Sequence, residues 1–542
     1  MIKYSPQMLA QKGILMIRPR RAIMSVSDKT GIVDLARELR DYGIHIISTG
    51  GTALFLKENG IETTEISELT GFPEILNGRV KTLHPAVYGG LLVDRENKGH
   101  MKTIEDLGIS PIDMVVVNLY PFVKAVESGG DPIENIDIGG VSLIRAGAKN
   151  HHHVAVLTHH SQYEPVLQEL KKLGGLSMET LKVLAVEGFR HTAAYDSAIQ
   201  AYFSSIYNDT LLKHPVDSME NEEERAYSRD FPENLTLAYR RIQKLRYGEN
   251  PHQRAALYKE VGFRGQSIIN ARQLNGKTLS YNNLLDFTGA LHIVREFETP
   301  TAVIIKHNNP CGVASAENIS TAYERALATD PMSAFGGIIA LNRQVDAETA
   351  NLIRSSFKEG VIAPSFSEEA VNILKRKKKI VLLEVGEFRI MSHPVFTQID
   401  GGLLLQDPNL GKVSKSQLKV VSEREPTEEE IESMLYAWKV IKHVRSNAII
   451  LVKDHRTVGI GAGQMSRVDA AKIAVMKAHD PKGCVMASDA FIPFRDSVDV
   501  VAEAGITAVI QPGGSIRDKE VLEAVNDYGM AMVYTGMRNF KH

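Results

Sequence analysis

The chain has 542 residues, of which 43% are hydrophobic and 24% charged, and its formal net charge is −2. At about 150 residues per domain this length predicts several folding units, and the ordinary composition excludes collagen-like, coiled-coil and wholly disordered proteins. The near-zero charge argues against nucleic-acid binding through a general basic field, so a bound anion must be held by local groups. Apolar runs reach only strand length, whereas a membrane helix needs about 20 residues.

The two cysteines, Cys311 and Cys484, lie far apart, and the sequence has no CxxC or clustered Cys/His spacing. Neither a disulfide framework nor a zinc site is expected, which favours a reducing compartment, the cytoplasm. Residues 1–20 are predicted to be a basic N-terminal extension. The first 27 residues hold basic but no acidic side chains, yet they are too poor in serine to be typical of a transit peptide.

From residue 21 onward, strand and helix patterns alternate. Residues 22–26 are predicted to form a buried strand, followed by a helical face that stops at Gly43, a second strand at 44–47 and a helix ending near Gly60. Further strands are predicted at 113–119 and 154–157. This alternation predicts a parallel α/β sheet with helices on both faces, over residues 21–207.

Residues 208–234 lack apolar periodicity and are predicted to be an acidic linker. The second block, 235–542, alternates again, with candidate strands at 302–305, 337–341, 380–383, 448–452, 485–487, 507–510 and 531–534. It also contains a weak repeat, since Ala-Leu-Ala-Thr-Asp-Pro at 326–331 is matched by Met-Lys-Ala-His-Asp-Pro at 476–481. We interpret it as two similar α/β subdomains with a site between them; chance recurrence of a helix stop is the alternative.

Three loops rich in glycine, hydroxyl and basic side chains are expected to follow strands in the first block, at 25–31, 48–52 and 79–82. In an open α/β sheet such loops lie beyond the carboxyl ends of the strands, where helix N-termini offer free N–H groups to an anion. The loops therefore predict a phosphate monoester as ligand. The absence of a Walker A loop and of a GxGxxG fingerprint disfavours ATP and NAD.

An acid, a phenol and two lysines lie in or after these loops and would suit proton transfer around a ring closure, namely Asp137, Tyr120, Lys81 and Lys149. A lysine acts as a base at neutral pH only if it is desolvated or lies beside another cation. The run His151–His153 is interpreted as structural and not as a metal site, because consecutive residues of a strand point to opposite faces.

Twelve motifs in order closely resemble the PurH family of bifunctional purine-biosynthesis proteins, which joins IMP cyclohydrolase to phosphoribosylaminoimidazolecarboxamide (AICAR) formyltransferase. The resemblance covers about residues 21–542. The motifs are SVSDKTG, STGGTA, SELTGFPEILNGRVKTLHP, NLYPF, DIGGVSLIRAGAKN, LRYGENPHQ, KHNNPCG, SAFGG, GIGAGQMSR, SDAFIPFRD, QPGGSIRD and MRNFKH.

The resemblance implies that residues 21–207 form a methylglyoxal-synthase-like (MGS-like) domain that closes the formylated intermediate, FAICAR, to IMP. By resemblance Lys81 would stabilise charge, and Tyr120, Asp137 and Lys149 would move protons. Lys149→Ala is accordingly predicted to abolish cyclisation and to spare formyl transfer. The implied nucleotide-binding residues are Ser27, Lys29, Thr49, Gly50, Gly51, Thr52, Arg79, Val80, Thr82, Asn118, Ile138 and Gly139.

For residues 235–542 the resemblance implies a duplicated cytidine-deaminase-like α/β fold without a zinc-ligand signature, so no metal is expected. This domain would move a formyl group from 10-formyltetrahydrofolate to the AICAR amine, a weak nucleophile that needs a general base. His307 is the candidate base, because the adjacent Lys306 ammonium favours a neutral imidazole. Lys306 would stabilise charge in the transition state or protonate the departing folate nitrogen.

The same resemblance places two further sets of residues. Around AICAR it implies Arg246, Tyr247, Gly336, Glu359, Asn447, Arg467, Phe491 and Arg538, and on the folate side Val468, Asp496, Ser515 and Ile516. Glu359 departs from the aspartate of some relatives, which weakens that assignment. The partners implied are small molecules and a second copy of the chain in a homodimer, with no nucleic acid and no membrane.

Two other functions fit parts of the sequence. A nucleotide-binding regulator would explain the phosphate loops, because MGS-like domains also serve as effector modules, but it leaves Lys306 and His307 without a role. A nicotinamide-dependent oxidoreductase is disfavoured by the missing GxGxxG fingerprint. Turnover of AICAR with 10-formyltetrahydrofolate would distinguish an enzyme from a regulator.

Overall fold

The computed structural model of the protein describes residues 16–207, 231, 234–261, 263, 265–388 and 394–542. These residues form two compact units, the first comprising 16–240 with 260–263 and the second comprising 241–259 with the rest to 542. The predicted linker at 208–234 falls almost entirely outside the described residues. The division between the units follows Arg240, a few residues after the predicted start at 235.

The first unit alternates strands and helices along the chain. Its strands are β1 (Met16–Ile17), β2 (Arg21–Val26), β3 (His45–Ser48), β4 (Thr64–Glu65), β5 (Met114–Asn118), β6 (Ala155–Leu157) and β7 (Leu176–Ser177). Its helices are α1 (Ile32–Asp41), α2 (Gly50–Glu58), α3 (Ile66–Thr70), α4 (Pro85–Leu92), α5 (Lys98–Asp106), α6 (Phe122–Ser128), α7 (Gly139–Lys149), α8 (Tyr163–Leu173) and α9 (Met178–Tyr207). Short 3₁₀ turns lie at Leu76–Gly78, Ile133–Asn135 and His160–Gln162.

A five-stranded, all-parallel sheet in the order β4-β3-β2-β5-β6 forms the centre of this unit. The chain proceeds from β2 to β3 and β4 on one side and then crosses to β5 on the other, so the topological switch point lies between β2 and β5. Apolar clusters cover both faces of the sheet. The predicted parallel α/β class is confirmed.

Residues 16–20, predicted to be part of the N-terminal extension, pack into the first unit. Met16 and Ile17 pair with Ser177 and Leu176. The backbone N–H groups of Arg20 and Arg21 each donate to the buried Asp113 carboxylate at 2.7 Å. Residues 1–15 of that extension lie outside the described residues.

The His151–His153 segment forms a turn between α7 and β6, so the strand geometry expected there was wrong. His153 Nε2 lies 3.5 Å from an Asp94 carboxylate oxygen, which ties the turn to the α4–α5 connection. In the described part of the chain, no group of three or more His, Cys, Asp or Glu side chains could hold a metal ion.

The second unit contains the longer run of strands, preceded by a hairpin that begins at the border between the units. The strands are β8 (Tyr239–Leu245), β9 (Ala255–Glu260), β10 (Arg272–Asn275), β11 (Thr301–Lys306), β12 (Asn309–Ser315), β13 (Ile338–Leu341), β14 (Gly360–Ala363), β15 (Val381–Glu384), β16 (Val395–Ile399), β17 (Gly402–Gln406), β18 (Lys419–Val420), β19 (Ile449–Lys453), β20 (Arg456–Gly461), β21 (Val485–Ser488), β22 (Ala508–Gln511) and β23 (Ala531–Tyr534). The helices are α10 (Tyr281–Val294), α11 (Ile319–Leu327), α12 (Ala347–Arg354), α13 (Glu368–Leu374), α14 (Glu428–Ile441), α15 (Arg467–Lys477), α16 (Asp496–Glu503) and α17 (Asp518–Asp527), with a 3₁₀ turn at Lys415–Gln417.

A 12-stranded sheet in this unit confirms the predicted duplication. Its order is β10-β15-β14-β13-β11-β12-β20-β19-β21-β22-β23-β18, so the second half repeats the first in mirror order around the antiparallel β12–β20 pair. Each half has the same succession of a helix, an antiparallel hairpin and three strands that alternate with helices, and corresponding elements lie about 150 residues apart.

The sheet is mixed, because each half contains an antiparallel hairpin that the sequence did not predict. β11 pairs with β12, and β19 pairs with β20, through tight two-residue turns at His307–Asn308 and Asp454–His455. All four turn residues have positive φ between 48° and 61°, as a type I′ turn requires. The usual signal for such a turn is Asn-Gly or Asp-Gly, which neither segment carries.

The helices of the described residues differ from membrane-spanning helices. None of them is long and apolar enough to cross a bilayer.

Candidate functional site

A cavity of about 570 Å³ opens at the carboxyl edge of the parallel sheet in the first unit. The register pairs Met24 with Ser48 and Val26 with Asn118, so the loops after β2, β3 and β5 meet at this edge. The predicted residues that line the cavity are Ser27, Lys29, Thr49, Gly51, Thr52, Arg79, Lys81, Thr82, Asn118, Tyr120, Asp137, Ile138 and Gly139.

Asn118 ties the two loops at the switch point together. Its side-chain oxygen accepts the backbone N–H groups of Ser27 and Asp28 at 2.7 and 2.9 Å, and its amide donates to the Asp28 carbonyl at 3.0 Å. The crevice in which doubly wound folds bind ligands is therefore rigidly built here.

Cationic and N–H groups converge beside this crevice, at the start of α2. No side chain caps that helix, so its first N–H groups are free to donate to an anion. Lys29 Nζ donates to Thr52 Oγ1 at 3.0 Å. A Cβ atom on Gly50 would lie 3.6 Å from Lys81 Nζ. Burial, followed by the Lys81 charge, lowers the pKa of Lys29, because a second ammonium group nearby disfavours the charged form.

Asp137 lies at the start of α7, on the opposite wall of the cavity. Gly140 N–H donates to its carboxylate at 2.6 Å, and Tyr195 OH accepts the Asp137 backbone N–H at 2.9 Å. Burial raises the pKa of the Asp137 carboxyl, although N–H donors from Gly140 and Tyr120 and the Lys81 charge oppose that shift. A carboxyl held in this balance can change its protonation state during a reaction.

If this cavity closes the FAICAR ring, as the family resemblance implies, the pH dependence of that reaction should reflect Asp137. If its carboxylate accepts a proton, the cyclisation rate falls as the pH falls through a pKa that lies above the ordinary aspartate range. A rate profile between pH 4 and pH 8 would measure this limb, and Asp137→Asn should abolish most of the activity. A profile whose acid limb remains in the Asp137→Asn variant would assign the limb to another group.

Several cavity residues were missed by the sequence reasoning. They are Glu74, Asn77, Gly78, Ile133, Glu134, Ile136, Gly140 and Leu143, whereas Ser25 and Val26 belong to the predicted phosphate loop at 25–31 without having been named as site residues. The Glu74–Gly78 segment belongs to the third family motif, but nothing in residue type distinguished it from an ordinary loop. Glu134 forms an ion pair with Arg79, so one of the predicted nucleotide-binding cations is already paired.

Gly139 shows why this wall needs a glycine. A Cβ atom there would lie 2.7 Å from Thr82 Oγ1, closer than van der Waals contact allows. Tyr88, which no motif singled out, lies behind Thr82 and shares a 2.6 Å hydrogen bond with Ser142. Burial raises the pKa of this tyrosine, so it supports the wall in its neutral form.

The structure does not bring Lys149 to the cavity, although the family resemblance implied a proton-handling role. The residue ends α7, and an 11-residue helix rises about 15 Å from its first to its last residue. Its side chain is exposed. Direct proton transfer needs hydrogen-bond distance, so the geometry does not support that role. Val80 and Gly50 are likewise not among the lining residues, although Gly50 adjoins them.

In the second unit, most of the predicted residues collect along one edge of the 12-stranded sheet, which we call the upper edge. β11 ends where the antiparallel β13 begins, with Ile305 opposite Ile338, and β19 begins where β21 ends, with Ile449 opposite Ser488. The upper edge is therefore where β11 and β20–β23 end and where β12–β15 and β19 begin.

The first repeat supplies Lys306, His307, Gly336 and Glu359 to the upper edge. Lys306 Nζ donates to the Phe335 carbonyl at 3.0 Å, and Glu359 forms a 2.6 Å ion pair with Lys277. The His307 side chain is exposed, so a substrate can reach it.

The second repeat supplies Asn447 and Arg467, which form a buried polar group. Arg467 forms an ion pair with the fully buried Asp489 and donates to Asn447 Oδ1 at 2.7 Å. Asn447 in turn donates to the Gln464 carbonyl at 3.0 Å. The Arg467 guanidinium is therefore largely occupied by the protein itself, which the family resemblance did not indicate.

The remaining predicted residues, except Arg246 and Tyr247 after β8 in the separate β8–β9 sheet, follow strands or begin helices at the upper edge. Phe491, Asp496, Ser515, Ile516 and Arg538 come after β21, β22 or β23, and Val468 lies in the first turn of α15. Ile516 is fully exposed, and the Arg538 guanidinium lies 4.5 Å from the Phe540 ring. Arg246 and Tyr247 follow β8 and form a stacked pair with a 2.9 Å hydrogen bond.

A loop contact joins the two repeats at this edge. The backbone N–H of Arg445, just before β19, donates to Asn309 Oδ1 in the β11–β12 hairpin at 3.2 Å. His307 and Asn447 therefore lie in adjoining segments, as a site built from both repeats requires.

Comparison with known proteins identifies the family of this chain. A family model described as "AICARFT/IMPCHase bienzyme" matches residues 147–477, and an "MGS-like domain" model matches residues 31–142. The first of these covers more than half of the chain. The chain belongs to this family. It is a bifunctional enzyme that formylates AICAR and closes FAICAR to IMP, the last two steps of purine-nucleotide synthesis de novo.

Curated relatives match over nearly the whole length. Proteins named "Bifunctional purine biosynthesis protein PurH" from Persephonella marina, Anoxybacillus flavithermus and Acetivibrio thermocellus are 50%, 49% and 50% identical. Each alignment covers 96% of this chain and 100% of the relative. These relatives confirm the interpretation as a purine-biosynthesis enzyme, in place of the nucleotide-binding regulator or the oxidoreductase. The substrates of the enzyme are small molecules.

Proposed function

We propose that the cavity of the first unit performs the ring closure and that the upper edge of the second unit performs formyl transfer, with 10-formyltetrahydrofolate as donor. The assignment of one reaction to each unit rests on one observation: each unit contains its own convergent set of polar groups. The phosphate loops and Asp137 lie in the first unit, and Lys306 and His307 lie in the second.

Ring closure joins the carboxamide nitrogen of FAICAR to its formyl carbon and releases water. The nitrogen must lose protons, and the formyl oxygen must gain them before it leaves. The nucleotide phosphate would bind the free N–H groups at the start of α2 with Lys29, which leaves the base near Asp137 and Lys81. Asp137 would move protons, and the Lys81 ammonium would stabilise negative charge on the formyl oxygen.

Tyr120 is proposed as a further proton carrier in this cavity. It lies in the loop after β5, and its backbone N–H donates to the Asp137 carboxylate. That contact keeps the loop beside the acid. Lys149 is left out of the proposed mechanism because it lies at the far end of α7.

Formyl transfer joins the AICAR amine to the formyl carbon and breaks the bond from that carbon to N10 of the folate. His307 would take the proton that the amine loses, and Lys306 would supply charge or a proton as the folate nitrogen departs. The exposed His307 turn and the Lys306 ammonium that projects beside it support this assignment.

We further propose that the transferase works as a homodimer with sites completed by the second copy. Seven strand steps separate Glu359 at β14 from Ser515 after β22, and at about 4.8 Å per step they amount to about 34 Å. The predicted residues at the two ends of the upper edge of one chain are therefore too far apart to contact the same bound AICAR and formylfolate.

The proposal also includes a reducing compartment, the cytoplasm, and chemistry without zinc. Both cysteines are free and buried, and desolvation raises the pKa of the Cys311 and Cys484 thiols, as in structural cysteines that are not reactive nucleophiles near neutral pH.

The test is complementation between two inactive variants. His307→Ala and Arg538→Ala are each expected to lose formyl transfer, and a mixture that exchanges subunits should regain part of it when sites are shared. Light scattering should give twice the chain mass. Formation of tetrahydrofolate would be followed optically with AICAR and 10-formyltetrahydrofolate. A mixture that stays inactive while subunits exchange would contradict shared sites, and a monomer would contradict the dimer.

A further inference from the structure

The turn that carries His307 rests on a carboxylate to which no role has been assigned. Asp286, in the second turn of α10, accepts the backbone N–H of Asn308 at 2.7 Å. The backbone N–H of His307 donates to the same carboxylate. One side chain therefore holds both central residues of the β11–β12 turn.

These two contacts stabilise a turn whose backbone conformation is unfavourable. His307 and Asn308 have φ values of 52° and 61°, a region that side chains other than glycine occupy at a cost. The turn also lies close against α10, since a Cβ atom on Gly289 would be 2.8 Å from Asn308 Oδ1. The conformation is thus fixed by contacts from the helix and not by residue preference.

The second repeat provides an internal comparison. Its turn, Asp454–His455, has the same left-handed conformation, and Lys453 Nζ donates to the Lys482 carbonyl at 3.0 Å as Lys306 does to Phe335. These features belong to the shared fold. At the position of Asp286, however, the corresponding helix α14 has Ser433.

The repeats therefore differ at two facing positions. Where the first has His307 in the turn and Asp286 beneath it, the second has Asp454 and Ser433. A turn of this kind forms without a carboxylate under it, so Asp286 is not required by the hairpin as such. It is present in the repeat whose turn holds the candidate base.

We propose that Asp286 is a positioning residue for formyl transfer, which fixes the His307 backbone so that the imidazole meets the AICAR amine. The inference rests on the proposed role of His307. Asp286 touches no substrate in this account and acts only through the turn. Loss of the two N–H contacts would let the ring move, and displacement of a catalytic group by about 1 Å can cost about 100-fold in rate.

The test uses the full-length enzyme with Asp286→Ala, Asp286→Asn and the matched control Ser433→Ala. Asp286→Ala should lower kcat for formyl transfer about 10- to 100-fold, while calorimetry still shows AICAR bound with the wild-type Kd and stoichiometry. Asp286→Asn keeps an acceptor oxygen and should recover part of the loss, and Ser433→Ala should leave kcat unchanged. A variant that loses AICAR binding sites in step with its rate would show a purely structural role and overturn the proposal.

A double-mutant cycle separates this inference from the function on which it rests. If Asp286 acts through His307, adding Asp286→Ala to His307→Ala should lower the rate no further. An equal additional loss in the double variant would mean that Asp286 acts elsewhere. A nearly wild-type rate for His307→Ala alone would instead remove the proposed base, and a normal rate for Asp286→Ala beside an inactive His307→Ala would remove only the positioning role.

Discussion

His307→Ala is expected to lower formyl transfer by about 10²- to 10⁴-fold, the contribution of a positioned general base, and to leave the cyclisation of FAICAR at its wild-type rate. The AICAR amine is conjugated to an imidazole that carries a carboxamide, so it must lose its proton as the new bond forms. His307 is the exposed imidazole at the end of β11, beside the Lys306 ammonium. Both activities are measured on one preparation, one with AICAR and formylfolate and the other with FAICAR alone.

The fold offers a matched control for this variant. His455 is also a histidine in a left-handed hairpin turn, in the second repeat at the position next to the one that corresponds to His307, and its exposed side chain lies at the opposite edge of β20 from the predicted residues. His455→Ala should therefore retain formyl transfer. Comparable losses in the two variants would point to a general effect on the hairpins and would contradict the assignment of His307 as base.

The first unit was largely predictable from its sequence. In a parallel sheet, the apolar pattern of a segment indicates both that it is a strand and where the loop after it lies. The segment at 22–26 is apolar except for Ser25, as expected for a central strand covered on both faces, and the loop that follows it must then lie at the carboxyl edge. Thirteen of the predicted residues accordingly line one cavity. The rest of that wall, such as Glu74 and Ile136, depends on how long loops fold back, which residue type alone does not determine.

The hairpins of the second unit were missed for a physical reason. Their turns carry His-Asn and Asp-His instead of glycine, and contacts from outside the turn hold them in place. The Asp286 carboxylate provides those contacts in the first repeat. Local propensity says nothing about such contacts, since the partner lies 22 residues away along the chain. The buried pair of Arg467 and Asp489 was missed in the same way.

Lys149 marks the limit of inference by family motif. The motif places it twelve residues after Asp137, and both residue type and position suggested a proton carrier. Helix geometry separates the two ends of α7 by about 15 Å. The sequence predicted the helix but not its direction relative to the cavity, so it did not show that Lys149 lies at the end away from the cavity. The contrast between Lys149 and Lys81 can be measured directly.

Lys81→Ala is expected to lower the cyclisation rate by about 10²- to 10³-fold, the usual cost of removing one group that stabilises charge in the transition state. Its ammonium lies near Gly50 at the start of α2 and close enough to Lys29 and Asp137 to shift the pKa values of both. Lys81 therefore lies between the proposed phosphate site and Asp137, where its charge can stabilise the reacting formyl group. Lys149→Ala, at the exposed end of α7, should lose far less.

The measurement is the rate of IMP formation from FAICAR, with formyl transfer on the same samples as the control for folding of the other unit. Lys81→Arg serves as the conservative variant, since it keeps the charge but changes its shape. It should recover part of the rate if charge is the main contribution of Lys81. Loss of cyclisation in Lys149→Ala equal to that in Lys81→Ala would contradict the geometry of α7 and restore the role that the motif implied.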